Sequence, residues 1–257
     1  MDVSKLFSVE GKVALVTGGS RGIGLMIARG YVESGARVYV ASRKAEVCEE
    51  VAAELSKVGT CIALPADLAS PDGARALAAA LSEREEALHV LVNNAGANWG
   101  APIEEFPDSA WDKVLDLNVK NVFRLTVELL GPLRAASVPG DPARVINIGS
   151  IDGLVPPMLE TYAYSSSKAA VHHLTRHLAR RLAPEITVNA VAPGPFESKM
   201  MAATLDQFGD AIRDSNPLKR IGEPEDMAGV ALYLGSRGGA YLTGAVIPVD
   251  GGTASLR

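Results

Sequence analysis

Val13-Ala14-Leu15-Val16-Thr17-Gly18-Gly19-Ser20-Arg21-Gly22-Ile23-Gly24 is the stretch that decides the fold. Val13 to Thr17 is uncharged and rich in β-branched residues, as expected of a strand covered on both faces. It runs directly into glycines, after which Leu25 to Ser34 continues as an amphipathic helical run. In such a strand-to-helix turn the backbone can approach a phosphate closely, and the helix N-terminus attracts its charge. The spacing is Gly18-x-x-x-Gly22-x-Gly24, distinct from the Gly-x-Gly-x-x-Gly dinucleotide fingerprint. Ser20, Arg21 and Ile23 lie within the same turn and are candidate cofactor contacts with the glycines.

The same alternation repeats outward from this unit. Further strands are expected at 38–40, 61–64, 90–92, 145–148, 187–191 and 246–249, with helices such as Gly73 to Glu86, Ala110 to Leu130 and Tyr162 to Arg181 between them. Apolar strands separated by helices predict one doubly wound α/β Rossmann domain over 1–257, a seven-stranded, mainly parallel sheet with helices on both faces. The long segment without a strand, Pro193 to about Pro224, is expected to hold a lid at about 195–216, with Phe196, Met200, Met201, Leu205 and Phe208 as its apolar groups.

In open α/β sheets ligands bind beyond the carboxyl ends of the strands. There stand the glycine turn, Ser42-Arg43, Asp67-Leu68, Asn93-Asn94-Ala95-Gly96, Gly149-Ser150 and Pro193-Gly194. A site selective for NAD places an acid about 20 residues past the glycines. Here the second strand ends in Ala41-Ser42-Arg43, with no acid, so Arg43 and Arg21 are expected to meet the 2′-phosphate of NADP(H).

Ser150, Tyr164 and Lys168 are the reactive candidates. Tyr164 and Lys168 stand four apart on one helix and share a face. A phenol titrates near pH 10, so the Lys168 ammonium, with an oxidised nicotinamide, is expected to lower it toward useful acid–base chemistry. Tyr162 is a decoy, because Ser166 rather than a base lies four residues on.

Composition narrows the function class. The chain has 257 residues, 47% apolar and 21% charged, with 25 Lys plus Arg against 30 acids and a formal charge of −5. That balance argues against nucleic acid as a partner. Met1 to Phe7 lacks the basic and apolar regions of a signal peptide, and no run approaches a bilayer span, so no membrane association is expected and the location is read as cytoplasmic. Cys48 and Cys61 lack metal or redox spacing and read as buried free thiols. His173 and His177 share a helical face but lack a third ligand at suitable spacing, so no metal is expected.

Thr17-Gly18-x-x-x-Gly22-x-Gly24, Asn93-Asn94-Ala95-Gly96, Asn118, Ser150, Tyr164-x-x-x-Lys168 and Pro193-Gly194 fall in the order and approximate spacing of the short-chain dehydrogenase/reductase family. The chain resembles that family along essentially its whole length, and within it the 3-oxoacyl-(acyl carrier protein) reductases of the rhamnolipid-pathway type. The resemblance implies Tyr164 as general acid in reduction and base in oxidation. It implies Lys168 on the ribose hydroxyls, Ser150 on the substrate carbonyl, and Asn118 on a water chain leading to Lys168. It sets Asp67 and Leu68 by the adenine, Asn93 by the adenosine ribose, and 193–198, with Phe196 and Ser198, against the nicotinamide. Ser198 stands where the family usually has Thr, which keeps the hydroxyl.

The implied activity is NADP(H)-dependent interconversion of a ketone and a secondary alcohol, with a substrate carried on acyl carrier protein or coenzyme A. A sugar or other small-alcohol dehydrogenase, a nucleotide-sugar epimerase and a non-catalytic NADP(H)-binding regulator are the alternatives. Trp99 and Met158 join the lid residues as candidate pocket groups, and Arg176, Arg180, Arg181, Lys120 and Arg124 as a candidate patch for an acidic carrier protein. A homotetramer is also implied, with the helix from Tyr162 at subunit contacts. Val171, Leu174 and Leu178 on that helix are read as a face buried against core or partner.

Overall fold

The computed structural model describes residues 3–198 and 201–256. Seven strands, β1 (Val13–Thr17), β2 (Arg37–Ala41), β3 (Thr60–Ala63), β4 (Val90–Asn93), β5 (Ala143–Ile148), β6 (Ile186–Pro193) and β7 (Val246–Val249), form one sheet in the order β3-β2-β1-β4-β5-β6-β7. Every pairing is parallel. The chain leaves β1 toward β2 and β3, then returns to place β4 on the other side of β1. That reversal is the switch point at which the loops after β1 and β4 diverge and open a crevice.

Beyond the short α1 (Val3–Leu6), the helices before β5 are α2 (Gly22–Glu33), α3 (Ala45–Leu55), α4 (Pro71–Ser82), α5 (Asp108–Leu115), α6 (Asn121–Glu128) and α7 (Leu130–Ala136). Those after it are α8 (Tyr162–Leu182), α9 (Ala202–Ser215) and α10 (Pro224–Gly235). Successive strand residues point to opposite faces. Ala14 and Val16 therefore pack with Ile27, Cys48, Ala52, Met227 and Leu234 from α2, α3 and α10. Val13 and Leu15 pack with Leu77, Leu81, Leu125, Leu133 and Leu178 from α4, α6, α7 and α8. Cys48 and Cys61 are buried free thiols, and burial pushes Cys61 up to about 12.

Two expectations change, and a third is met. The stretch expected as one helix over 110–130 is broken, with a π-helical turn at Asp116–Lys120 between α5 and α6. The segment expected as a lid contains α9, and Phe196 forms a parallel bridge with Gly222. On α8, Val171 is buried, Leu178 lies in the core and Leu174 packs against it. Core burial is one of the two environments expected for that face. Among the described residues no helix is long and apolar enough to cross a membrane.

Candidate active site

The glycine turn is held by a pair of residues that the sequence reading quoted without assigning them a task. Thr17 Oγ1 donates to the Val92 carbonyl at 3.2 Å and accepts from the Asn94 and Ala95 amides at 2.9 and 3.0 Å. Asn94 Nδ2 donates to the carbonyls of Thr17 and Gly18. The turn after β1 is thereby tied to the turn after β4. Gly18 and Gly22 have φ of 63° and 52°, a region costly for other residues. At Gly24 a Cβ would lie 2.4 Å from both Asn94 Nδ2 and the Gly18 oxygen. These glycines are thus required by contacts within the protein as well as by any phosphate. A threonine directly before the first glycine, matched by an asparagine just after β4, is the available signal.

No side chain caps α2, which starts just after Arg21, so its first-turn amides remain free of side-chain partners. Arg21 and Arg43 are exposed, and their side chains make no hydrogen bond or ion pair among the described residues. An uncapped N-terminus of a 12-residue helix flanked by unengaged guanidiniums fits a dinucleotide bearing phosphates. Asp67 lies exposed beyond β3 and accepts from the Ala69 amide at 3.1 Å. The Leu68 side chain belongs to the core. Asn93 turns its amide inward, donating to Asn147 Oδ1 at 2.9 Å and to Thr126. Beyond β6, Gly194 lets the chain pass Asp250, whose Cβ would be 2.7 Å from an added methyl. The Phe196 side chain is buried in the core rather than facing the crevice. Ser198 approaches Gly22, its Cβ 3.2 Å from a Cβ built there. Met201 and Leu205 are half-buried and Phe208 is exposed, while Met200 lies outside the described residues.

Tyr164 and Lys168 occupy the first turns of α8, and Ser150 follows β5. The Ser150 hydroxyl lowers the Tyr164 phenol, and it accepts from the Asp152 amide at 3.1 Å. Lys168 is buried, donates to the Ile148 carbonyl at 2.8 Å, and lies 5.4 Å from the centre of the Tyr164 ring. Burial pushes the Tyr164 phenol up to about 12, opposed by the Ser150 hydrogen bond and reinforced by Asp152. Burial brings Lys168 down to about 8. Among the protein's own groups desolvation is the largest influence on the phenol; the expected lowering draws on the oxidised nicotinamide as well as on Lys168. The protein's own residues therefore hold Tyr164 as a proton-bearing phenol, the form a general acid needs.

Asn118 sits in the π-helical turn, a feature frequent at functional sites. It exchanges hydrogen bonds with both backbone groups of Ala97, and its amide donates to Ser167 Oγ at 2.9 Å. Ser167 in turn donates to the Tyr164 carbonyl. Asn118 thus braces the loop holding Gly96 and the start of α8, its direct bond to that helix being to Ser167. Tyr162, the decoy, donates to Glu160 and packs its ring on Phe106.

Under the Ser150 loop lies His172, which sequence reasoning passed over. It is 2% exposed, and burial lowers it to about 4. The native chain therefore resists protonation between about 4 and 6.5, whereas the unfolded chain binds that proton. Stability must fall as pH drops through this window, by up to roughly 3 kcal/mol from this one group. Denaturation midpoints of the unmutated chain and of His172→Leu, measured inside and above the window, should converge as pH falls. A pH-independent difference would contradict this.

The chain matches the short chain dehydrogenase family over residues 12–208. It is 51% identical over 249 residues to the rhamnolipids biosynthesis 3-oxoacyl-[acyl-carrier-protein] reductase of Pseudomonas aeruginosa, covering 96% of this chain and 97% of that one. This chain belongs to the short-chain dehydrogenase family. The Pseudomonas aeruginosa RhlG/NADP active-site complex superposes with a TM-score of 0.94 at 49% identity, over 97% of this chain and 99% of that one. Galactitol 2-dehydrogenase (L-tagatose-forming) of Cereibacter sphaeroides is 34% identical over 98% of both chains. The short-chain dehydrogenase family thus includes close relatives named for an acyl substrate and more distant ones named for a polyol.

Proposed function

We propose that this short-chain dehydrogenase is an NADPH-dependent reductase that converts the ketone of a 3-oxoacyl thioester to a secondary alcohol. The observation that carries the reading is the buried Tyr164 phenol with the Lys168 ammonium 5.4 Å from its ring centre and Ser150 on the adjoining turn after β5. Gly18, Ser20, Arg21, Gly22, Ile23 and Gly24 would hold the phosphates of NADP(H), Arg43 its 2′-phosphate, and Asp67 and Leu68 the adenine edge. Asn93, Ala95 and Gly96 would line the middle of the cofactor through their backbone. Tyr164 and Lys168 would meet the nicotinamide ribose, and the backbone of Pro193, Gly194 and Phe196, with Ser198, would meet the nicotinamide. When bound, NADPH supplies a hydride. Ser150 orients the carbonyl oxygen, Tyr164 gives it a proton, and Asn118 keeps the first turn of α8 in place.

An acyl substrate is favoured over a polyol by the rim of the site. Trp99, Ile103, Leu154, Met158 and Leu159 are exposed in the loops after β4 and β5, more apolar surface than a polyol would use. An acyl carrier protein or coenzyme A as the carrier is supported by the close relative's name and by Arg176, Arg180 and Arg181, exposed on α8. Lys120 is engaged with Asp116 and Arg124 is half-buried, which leaves the α8 arginines as the patch. The reading extends to a cytoplasmic homotetramer, for which exposed Phe123 and Val127 on α6 offer an apolar face.

The test is NADPH and NADH oxidation against a panel of 3-oxoacyl thioesters, sugars and diketones. A charge-assisted contact to the 2′-phosphate should make kcat/KM with NADPH about ten-fold or more higher than with NADH. Arg43→Ala should erode that preference. Equal efficiency with NADH in the unmutated chain, or turnover of sugars alone, would contradict the reading.

A further inference from the structure

Ser150 is carried by the turn over 149–153 that leaves β5. Within this turn the Asp152 amide donates to Ser150 Oγ at 3.1 Å and the Gly153 amide to the Ser150 carbonyl at 3.0 Å, so it holds together as one small unit. Its first end is fixed where the Gly149 amide donates to the Val191 carbonyl at 2.7 Å and Lys168 Nζ to the Ile148 carbonyl at 2.8 Å. Its far end lies against the backbone of α8, because a Cβ built at Gly153 would stand 2.6 Å from the Lys168 carbonyl carbon and the Ala169 nitrogen. Between the two ends sits the buried ring of His172, one turn beyond Lys168 on α8. A Cβ at Gly149 would stand 2.7 Å from the ring at Cδ2, and one at Gly153 would stand 2.9 Å from it at Cε1. The absence of a side chain at both positions is what admits the ring.

We propose that His172 is a positioning residue, the wedge that sets how far the Ser150 turn stands from α8 and so where the Ser150 hydroxyl lies relative to Tyr164. The inference rests on the reductase reading above, in which Ser150 orients the carbonyl that Tyr164 protonates. The ring meets both the residue before Ser150 and the residue that closes its turn. A smaller side chain would leave a gap, and close-packed interiors answer a gap by partial collapse of the neighbouring segments. Here the segment free to move is the turn that carries Ser150. Tyr164, Lys168 and His172 stand on successive turns of one helix, so the element that presents the phenol also carries the wedge. A misplacement of about 1 Å between reacting groups can cost about 10²-fold in rate, which gives a side chain beneath the turn a large lever on the chemistry.

His172→Ala tests this, and His172→Val repeats the test with a smaller gap and less risk to folding. Either should lower kcat for ketone reduction by about ten- to a hundred-fold, with NADPH affinity unchanged, and His172→Gln, whose flat end reaches a similar depth, should recover much of the rate. The same substitutions made together with Ser150→Ala should cost about two-fold or less, because the group they misplace is already gone. An equal fall in both backgrounds, or no fall in either, would mean that His172 serves packing alone and would overturn the proposal. A second measurement needs no turnover. With Ser150→Cys as a probe, iodoacetamide should label position 150 about ten-fold faster or more once His172→Ala or His172→Val loosens the turn, against the buried Cys48 and Cys61 as a common background. An unchanged labelling rate would likewise contradict the wedge. If no carbonyl compound is reduced, the reductase reading fails, and the labelling rate still decides the claim about His172.

Discussion

Tyr164→Phe is expected to lower kcat for ketone reduction by the ~10²–10⁴-fold typical of a lost general acid, with NADPH affinity little changed. The substitution keeps the ring over which Lys168 lies and removes only the hydroxyl. Packing is therefore preserved, so a fall in rate reports chemistry rather than folding. The effect should appear in kcat and kcat/KM alike, as for an interaction made in the transition state. Single-turnover reduction beside a fluorescence titration of NADPH separates the two quantities. A near-normal rate would remove Tyr164 from the mechanism.

The second large effect concerns the ground beneath Ser150. Gly149→Ala would place a Cβ 2.1 Å from His172 Nε2, 2.7 Å from its Cδ2 and 3.2 Å from the Val191 oxygen. Neither neighbour can retreat easily, because His172 is buried on α8 and Val191 lies within β6. Overpacking of this kind costs about 1–3 kcal/mol or more, several degrees in Tm for a chain of this size. It should also lower kcat, since any relief displaces the adjacent Ser150. Replacing His172 by Ala in the same chain removes the principal clash and should recover much of the lost Tm. A stable, fully active Gly149→Ala chain would contradict the packing described here.

What was legible in the sequence was whatever depends on local period and punctuation. β1 and β7 run over the residues expected, because uncharged β-branched runs bounded by glycine or a turn leave little choice. Tyr164 and Lys168 share a face because i and i+4 spacing on a helix fixes that. The π-helical turn at Asp116–Lys120 was not legible: Asp116-Leu117-Asn118-Val119-Lys120 continues the helical pattern on both sides, and only Asn118's bonds to Ala97 and Ser167 distinguish it. Apolar character did not reveal which structure would bury it. Phe196 was read as facing the nicotinamide but fits against Gly222 in the core, and the apolar face of α8 meets its own sheet. The depth at which the Tyr164 phenol is buried is a tertiary property, whereas the nearby lysine is legible from spacing alone. The buried His172 is illegible for the same reason.

The most direct test of the central claim is to supply NADPH deuterated at the hydride-donating carbon and examine the product from a 3-oxoacyl thioester by mass spectrometry. One deuterium is expected on the former ketone carbon of a 3-hydroxyacyl product, formed one-for-one with NADP⁺ and strongly slowed in Tyr164→Phe. NADPH that binds but yields no labelled alcohol from any acyl thioester would contradict it.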